Sequence, residues 1–281
     1  MNIIDGKAIA AQIKQDLKSQ ARGACLAVVI VGDDPASHVY VRAKIKAATE
    51  VGIATKLHEL PANTTESNLI ALIEKLGIDN SVHGILVQLP LPAHLDTRRV
   101  LDTIPPAKDV DGLHTMNSGR LFQDADVPYI KSCTPLGVME LLRSLQTSLV
   151  GRHAVVVGRS NLVGKPMAMM LLNAGCTVTI THKQTVDLAS HTRMADILVV
   201  AAGCQNLITA DMVKIGAVVI DVGINRTADG KLCGDVDFEN VSKIASHITP
   251  VPGGVGPMTI AMVLQNTINA TLNQLSFNPN K

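Results

Sequence analysis

Apolar residues in this chain gather in short unbroken runs, and stretches with helical spacing separate them. Seven runs predict strands: Cys25–Val31, Thr55–Leu60, Val82–Leu89, His153–Val157, Thr177–Thr181, Ile197–Ala201 and Ala217–Val222. Several (AVVIV, AVVV, ILVVAA, AVVIDV) are apolar on both faces, as in parallel strands covered by helices on two sides. Between them, Ser37–Val51, Glu66–Leu76, Pro135–Gln146 and Lys165–Asn173 carry apolar residues at helical spacing. Strand–helix alternation means βαβ units and an α/β fold. The polar, glycine-containing stretch Thr115–Ser132 follows Pro105-Pro106 and predicts a domain break. A final helix is expected over Met258–Leu275, and the pattern leaves open which half it packs on.

Composition narrows the function classes. With 281 residues the chain can form one large domain or two medium ones. A net charge of +1 and 2% aromatic residues give no footprint for nucleic acid or an anionic membrane. No stretch approaches the roughly 20 apolar residues of a membrane span, and the N-terminus lacks a long apolar signal region. The five cysteines form no CxxC pair, which argues against a metal site or a disulfide framework and for a cytoplasmic protein.

The most suggestive turn is AVVVGRSNLVGKPMAMM, beginning at Ala154. A parallel strand turning tightly into a helix aims free N–H groups and the helix dipole at one point, which suits a pyrophosphate. Gly158 can make the turn, Ser160 lies within it, and Gly164 lets strand and helix approach. The spacing is GxSxxxG rather than GxGxxG, so the motif fits a dinucleotide site and an empty βα turn equally well. The next strand tips the balance. It ends in Thr181, His182, Lys183 and Gln184 without the carboxylate that would hold an NAD ribose. Arg159 and Lys183 in its place suit a 2′-phosphate, hence NADP.

A second signal lies in Ser37–Val51. Ser37, Tyr40, Val41, Lys44, Ala48 and Val51 share one helical stripe, opposite Arg42, Lys46 and Glu50. Ser37 also fits an N-cap. Lys44 thus lies one turn from Tyr40 on an apolar face. It either snorkels outward or stays half-buried, where desolvation lowers an ammonium pKa towards acid–base use. Gln88 interrupts VHGILVQLPLP near the C-terminal end of a buried strand, where open α/β sheets bind ligands. KDVDG holds Asp109 and Asp111 in what also reads as an Asx turn. The Pro/Gly-rich TPVPGGVGPMT, beginning at Thr249, predicts a rigid loop, either a ligand wall or a connector.

Together YVRAK (Tyr40–Lys44), GILVQLPLP (Gly84–Pro92), KDVDG (Lys108–Gly112), GRSNLVGKP (Gly158–Pro166), DVGIN (Asp221–Asn225), GDVDF (Gly234–Phe238) and TPVPGGVGPMT closely resemble the bifunctional methylenetetrahydrofolate dehydrogenase/cyclohydrolase family in its own order. The resemblance implies two α/β domains flanking a cleft. One comprises residues 1–120 with the C-terminal helix 259–281 and binds folate; the other, 121–258, is a Rossmann-type NADP domain. It also implies a homodimer that oxidises 5,10-methylenetetrahydrofolate with NADP and hydrolyses the methenyl product to 10-formyltetrahydrofolate. On this basis Lys44, Tyr40, Gln88 and Asp111 are catalytic. Tyr40, Val87, Gln88, Leu89, Asp111, Pro252, Gly253, Gly256 and Pro257 contact substrate. Gly158, Arg159, Ser160, Gly164, Lys183 and Ile224 contact the cofactor. The family's frequent serine after its Cys-His pair is Lys183 here, following Thr181-His182. Two rivals remain: a dehydrogenase acting on a non-folate substrate, which would not need the Tyr40, Lys44, Gln88 and Asp111 set, and a non-catalytic NADP-binding protein.

Overall fold

Each of the seven apolar runs becomes a strand in the computed structural model, which describes residues 2–276. The chain begins with β1 (Asn2–Ile3) and α1 (Gly6–Leu17), followed by β2 (Cys25–Val31), α2 (Pro35–Val51), β3 (Ala54–Leu60), α3 (Glu66–Ile78) and β4 (Gly84–Val87). Then come α4 (Thr97–Thr103), α5 (Thr115–Phe122), α6 (Cys133–Ser144), β5 (His153–Val157), α7 (Gly164–Asn173), β6 (Thr177–Thr181), α8 (Leu188–Thr192) and β7 (Ile197–Val200). The remainder is β8 (Val218–Asp221), the short β9 (Asn225–Arg226) and β10 (Leu232–Cys233), α9 (Phe238–Val241), β11 (His247–Ile248) and α10 (Val255–Ser276).

Two units result: Ala11–Cys133 with Ile260–Lys281, here the N-terminal unit, and Met1–Ala10 with Thr134–Thr259, the C-terminal unit. The division thus falls at Cys133/Thr134 rather than at residue 120, and the first ten residues join the C-terminal unit. Backbone pairing is the reason. β1 runs parallel to β11, Ile4 N donates to Ile248 O at 2.9 Å, and Lys7 N donates to Gly253 O at 3.0 Å. A two-residue strand has no periodicity, so nothing in the pattern announces it. Met1 and residues 277–281, included in the expected boundaries, lie outside the described residues. The stretch 115–132 is not a bare linker either. Its first half is α5, capped by His114 Nδ1, which accepts from Met116 N at 2.9 Å.

The N-terminal unit has a parallel sheet in the order β3-β2-β4. All seven residues of β2 are buried between its neighbours and the helices. Asp34, not Ser37, caps α2: its carboxylate accepts from Ser37 N at 2.8 Å with Pro35 in the first turn, while Gly52 ends the helix at φ 95°. The question of α10 is settled by hydrogen bonds. Asn266 Nδ2 donates to Val110 O and Lys131 O at 2.9 Å each, and Gln274 Nε2 donates to His83 O at 2.9 Å. Gly84 lies against this helix and the KDVDG segment, where a Cβ would be 3.4 Å from Thr267 Cγ2 and 2.5 Å from Val110 Cγ1.

The C-terminal unit has six parallel strands in the order β1-β11-β8-β7-β5-β6. Strand order reverses at β5, which creates a switch point between β5 and β7 where open α/β sheets bind ligands. The expected loop at Thr249–Thr259 is shorter than its composition suggests, because α10 already begins at Val255. Pro257 lies in the first turn, where its missing N–H is no loss. Among the described residues no helix is long and apolar enough to cross a membrane, and no His/Cys/Asp/Glu group could hold a metal.

Candidate functional site

On the N-terminal unit the stripe of α2 follows its pattern except at Tyr40, which stays exposed. Ser37, Val41, Lys44, Ala48 and Val51 are buried, with Ala47 added. Lys44 is only 8% exposed, so it does not snorkel. Its Nζ donates to Gln88 Oε1 at 3.1 Å, and Gln88 Nε2 donates to Leu89 O at 2.6 Å. Gln88 follows β4 directly, and its backbone N–H extends the ladder to Val29 O at 2.8 Å. The amide is therefore fixed at both ends and aims one oxygen at the ammonium. A hydrogen bond to a charged group of this kind contributes about 1.5–3 kcal/mol. Tyr40, one turn before Lys44, is 39% exposed, so its ring has a free face. Val87 is buried in β4, whereas Leu89 is half-buried beyond its end.

The KDVDG segment divides its two carboxylates between two jobs. Asp109 is buried and accepts from His114 N at 2.8 Å and Asn117 Nδ2 at 3.0 Å, while burial pushes its pKa up. It is a structural anchor. Asp111 is half-buried, and its backbone carbonyl accepts from Cys133 N at 3.3 Å. Gly112 between the segments has φ 68°, and a Cβ there would meet Lys131 C at 2.4 Å. Sequence reasoning missed Cys133, which lies in the field of both Asp111 and Lys44. Its buried thiol donates to Val110 O at 3.1 Å, and burial first, then Asp111, holds its pKa well above the ordinary value. An unreactive packing thiol results.

On the C-terminal unit a cavity of about 580 Å³ opens at the switch point. Val157, Gly158, Arg159 and Ser160 line it from the β5 turn, His182 and Lys183 from the end of β6, and Ala201, Ala202 and Cys204 from the end of β7. Gly158 has φ 128°, and a Cβ would lie 2.3 Å from Ala201 O; at Gly164 it would lie 2.1 Å from Gly158 O. Only glycine fits either place. Ser160 Oγ accepts from Val163 N at 3.1 Å and Gly164 N at 3.4 Å, so it caps the entry to α7 and keeps its own O–H to donate. Arg159 Nη2 donates to Gln184 Oε1 at 2.8 Å, which steers the guanidinium toward the end of β6 beside exposed Lys183. Glycine-lined backbone, a helix start and two cations fit a dinucleotide with a 2′-phosphate.

Two buried aspartates behind this cavity went unread in the sequence. Asp221 accepts from Gly223 N at 2.9 Å, Asp235 N at 3.0 Å and Val236 N at 2.9 Å. Burial nevertheless pushes its pKa up to about 6. Asp235 is fully buried and gathers N–H groups from the loop after β7. The signal was present in DVG and GDVD, where glycines flank the acids because no Cβ fits beside them. Ile224 is 51% exposed between these anchors and is not among the residues lining the cavity. Pro252, Gly253, Gly256 and Pro257 belong to the C-terminal unit at the start of α10, apart in the chain from the Lys44 cluster.

Comparison with known proteins supplies the family. Residues 4–111 match the model of the tetrahydrofolate dehydrogenase/cyclohydrolase catalytic domain, and residues 132–275 match that of its NAD(P)-binding domain. The bifunctional protein FolD of Campylobacter jejuni (strain RM1221) is 54% identical over 98% of this chain and 100% of its own length. A crystal structure of the bifunctional FolD enzyme from Campylobacter jejuni superposes with a TM-score of 0.96 at 53% identity, covering 97% of this chain and 99% of that one. The Trypanosoma brucei enzyme, solved with NADP cofactor and an inhibitor, gives 0.94 at 39% identity, covering 97% and 98%. The chain belongs to the tetrahydrofolate dehydrogenase/cyclohydrolase family.

Proposed function

We infer that this protein is a bifunctional enzyme of one-carbon metabolism, oxidising 5,10-methylenetetrahydrofolate with NADP⁺ and hydrolysing the resulting methenyl group to 10-formyltetrahydrofolate. The observation that carries the reading is the buried Lys44 ammonium held at 3.1 Å by Gln88 Oε1. A buried cation with a fixed amide partner and a phenol one turn away has no role in packing that an apolar residue would not fill better.

NADP⁺ supplies the hydride acceptor when bound. The remaining chemistry belongs to the chain. Tyr40 offers its ring face to the flat pterin, and Asp111 accepts hydrogen bonds from the pterin N–H edge. Lys44, oriented by Gln88, moves the proton of the water that adds to the methenyl carbon; the C–N bond then opens to leave the formyl group. Val87 and Leu89 shape the strand end, and Pro252, Gly253, Gly256 and Pro257 complete the substrate contacts. Gly158, Ser160 and Gly164 receive the pyrophosphate, Arg159 and Lys183 the 2′-phosphate, and Ile224 an apolar part of the cofactor.

In this reading folate binds the N-terminal unit and NADP the C-terminal unit. A reducing cytoplasm fits the five free cysteines, and light scattering of the purified protein checks the homodimer that the family resemblance implies. The deciding assay combines purified protein, 5,10-methylenetetrahydrofolate and NADP⁺, followed by NADPH and methenyl absorbance. Appearance of NADPH with decay of the methenyl signal is expected. Absence of NADPH would end the dehydrogenase reading.

A further inference from the structure

The loop after β7 supplies Ala201, Ala202 and Cys204 to the cavity wall, yet no side chain in it explains why it holds its course. Its three successive N–H groups do. Ala202 N and Gly203 N donate to Asp235 Oδ2 at 2.7 and 2.9 Å, and Cys204 N donates to Asp235 Oδ1 at 2.9 Å. Asn225 Nδ2 adds a fourth bond to Oδ1 at 2.8 Å. A carboxylate has room for about four donors, so Asp235 is saturated. It is itself anchored, because its N–H donates to Asp221 Oδ1 at 3.0 Å and a Cβ at Gly223 would lie 2.3 Å from its Cγ. The chain thus places a buried, acceptor-only group beneath one wall of the cavity and spends it on that wall.

We propose that Asp235 is a positioning residue for the cofactor, fixing the Ala202–Cys204 wall against which the dinucleotide binds. It touches neither cofactor nor substrate. Asn225 assists by holding Oδ1, which links the DVGIN and GDVDF segments to the β7 loop. The proposal rests on the reading of this cavity as the NADP site.

Asp235→Asn is the sharpest test, because an asparagine replaces one acceptor oxygen with an NH₂ that confronts N–H donors. Calorimetry should show Kd for NADP⁺ raised about tenfold or more. The dehydrogenase KM for NADP⁺ should rise in step, with kcat at saturating cofactor retained to within about twofold, since the wall is displaced rather than the chemistry removed. Cyclohydrolase kcat/KM on the methenyl substrate, which needs no cofactor, should stay unchanged. A role only in holding the unit together would instead lower the melting temperature with unchanged Kd, or reduce both activities in parallel, and either result overturns the proposal. If Asp235→Asn does not fold, Asn225→Ala removes one donor of four and decides the matter: a Kd raised about threefold supports it, and an unchanged Kd overturns it. Wild-type protein that fails to bind NADP⁺ refutes the cofactor reading and this proposal together, whereas wild-type binding with equal binding by both variants refutes the proposal alone.

Discussion

The two candidate sites are made of different material. On the N-terminal unit the chemistry sits in side chains: Lys44 and Tyr40 on one helix, Gln88 past a strand end, Asp111 in a turn. On the C-terminal unit the site is largely backbone. Gly158 and Gly164 are there for the Cβ they lack, Ser160 caps a helix start, and buried Asp221 and Asp235 hold loops by their N–H groups. A side-chain site can lose its chemistry and keep its fold. A backbone site cannot lose its geometry without straining the fold around it.

Lys44→Met is the strongest way to break this contrast. Methenyl hydrolysis should fall by about 10²–10⁴-fold, the usual range for a positioned proton carrier, with NADP⁺ binding and melting temperature nearly unchanged. Retained hydrolysis would remove Lys44 from its role. Gly158→Ala should do the reverse. Its Cβ meets Ala201 O at 2.3 Å in a backbone already at φ 128°, so denaturant unfolding should show a loss of about 2–4 kcal/mol from strain and overpacking together. A variant as stable as wild type would mean the turn is not the rigid element described.

Arg159→Ala tests one of the two cationic side chains assigned to the backbone site. The preference for NADP⁺ over NAD⁺, as a ratio of kcat/KM, should drop by about tenfold, one charge-assisted hydrogen bond. Equal use of both cofactors by the parent enzyme would refute the 2′-phosphate assignment. A pH-dependent effect concerns Asp221, raised by burial to about 6 from 3.8. Between those values the folded state holds a proton that the unfolded chain has released. Stability should therefore fall as pH rises from about 4 to 6, by about 1–3 kcal/mol, and Asp221→Asn should flatten that slope. Identical pH profiles for the two proteins would show that the carboxylate ionises without cost.

Legibility in the sequence followed how local each cause was. The stripe of α2 put Lys44 on the buried face correctly, because helical periodicity alone decides which residues share a face. The Gly158 turn was also readable, since strand, glycine and helix are consecutive. Misreadings arose where the partner is distant. Asn2 and Ile3 pair with β11 some 245 positions away, Asp34 rather than Ser37 caps α2, and α5 forms in a stretch with little periodicity because His114 and Asp109 anchor its start.

The sequence by itself determined the α/β class, the seven longer strands, the helix face that carries Lys44 and the lack of an acid after β6, because each depends on neighbours in the chain. Only the tertiary structure decided that Gln88 faces Lys44, that α10 belongs with the N-terminal unit, that Asp109 anchors while Asp111 stays available, and that Asp235 lies beneath a loop more than thirty residues earlier. The physical reason is the same in each case. Periodicity records which side of an element faces inward, but hydrogen-bond partners are chosen by which elements the sheet order brings side by side.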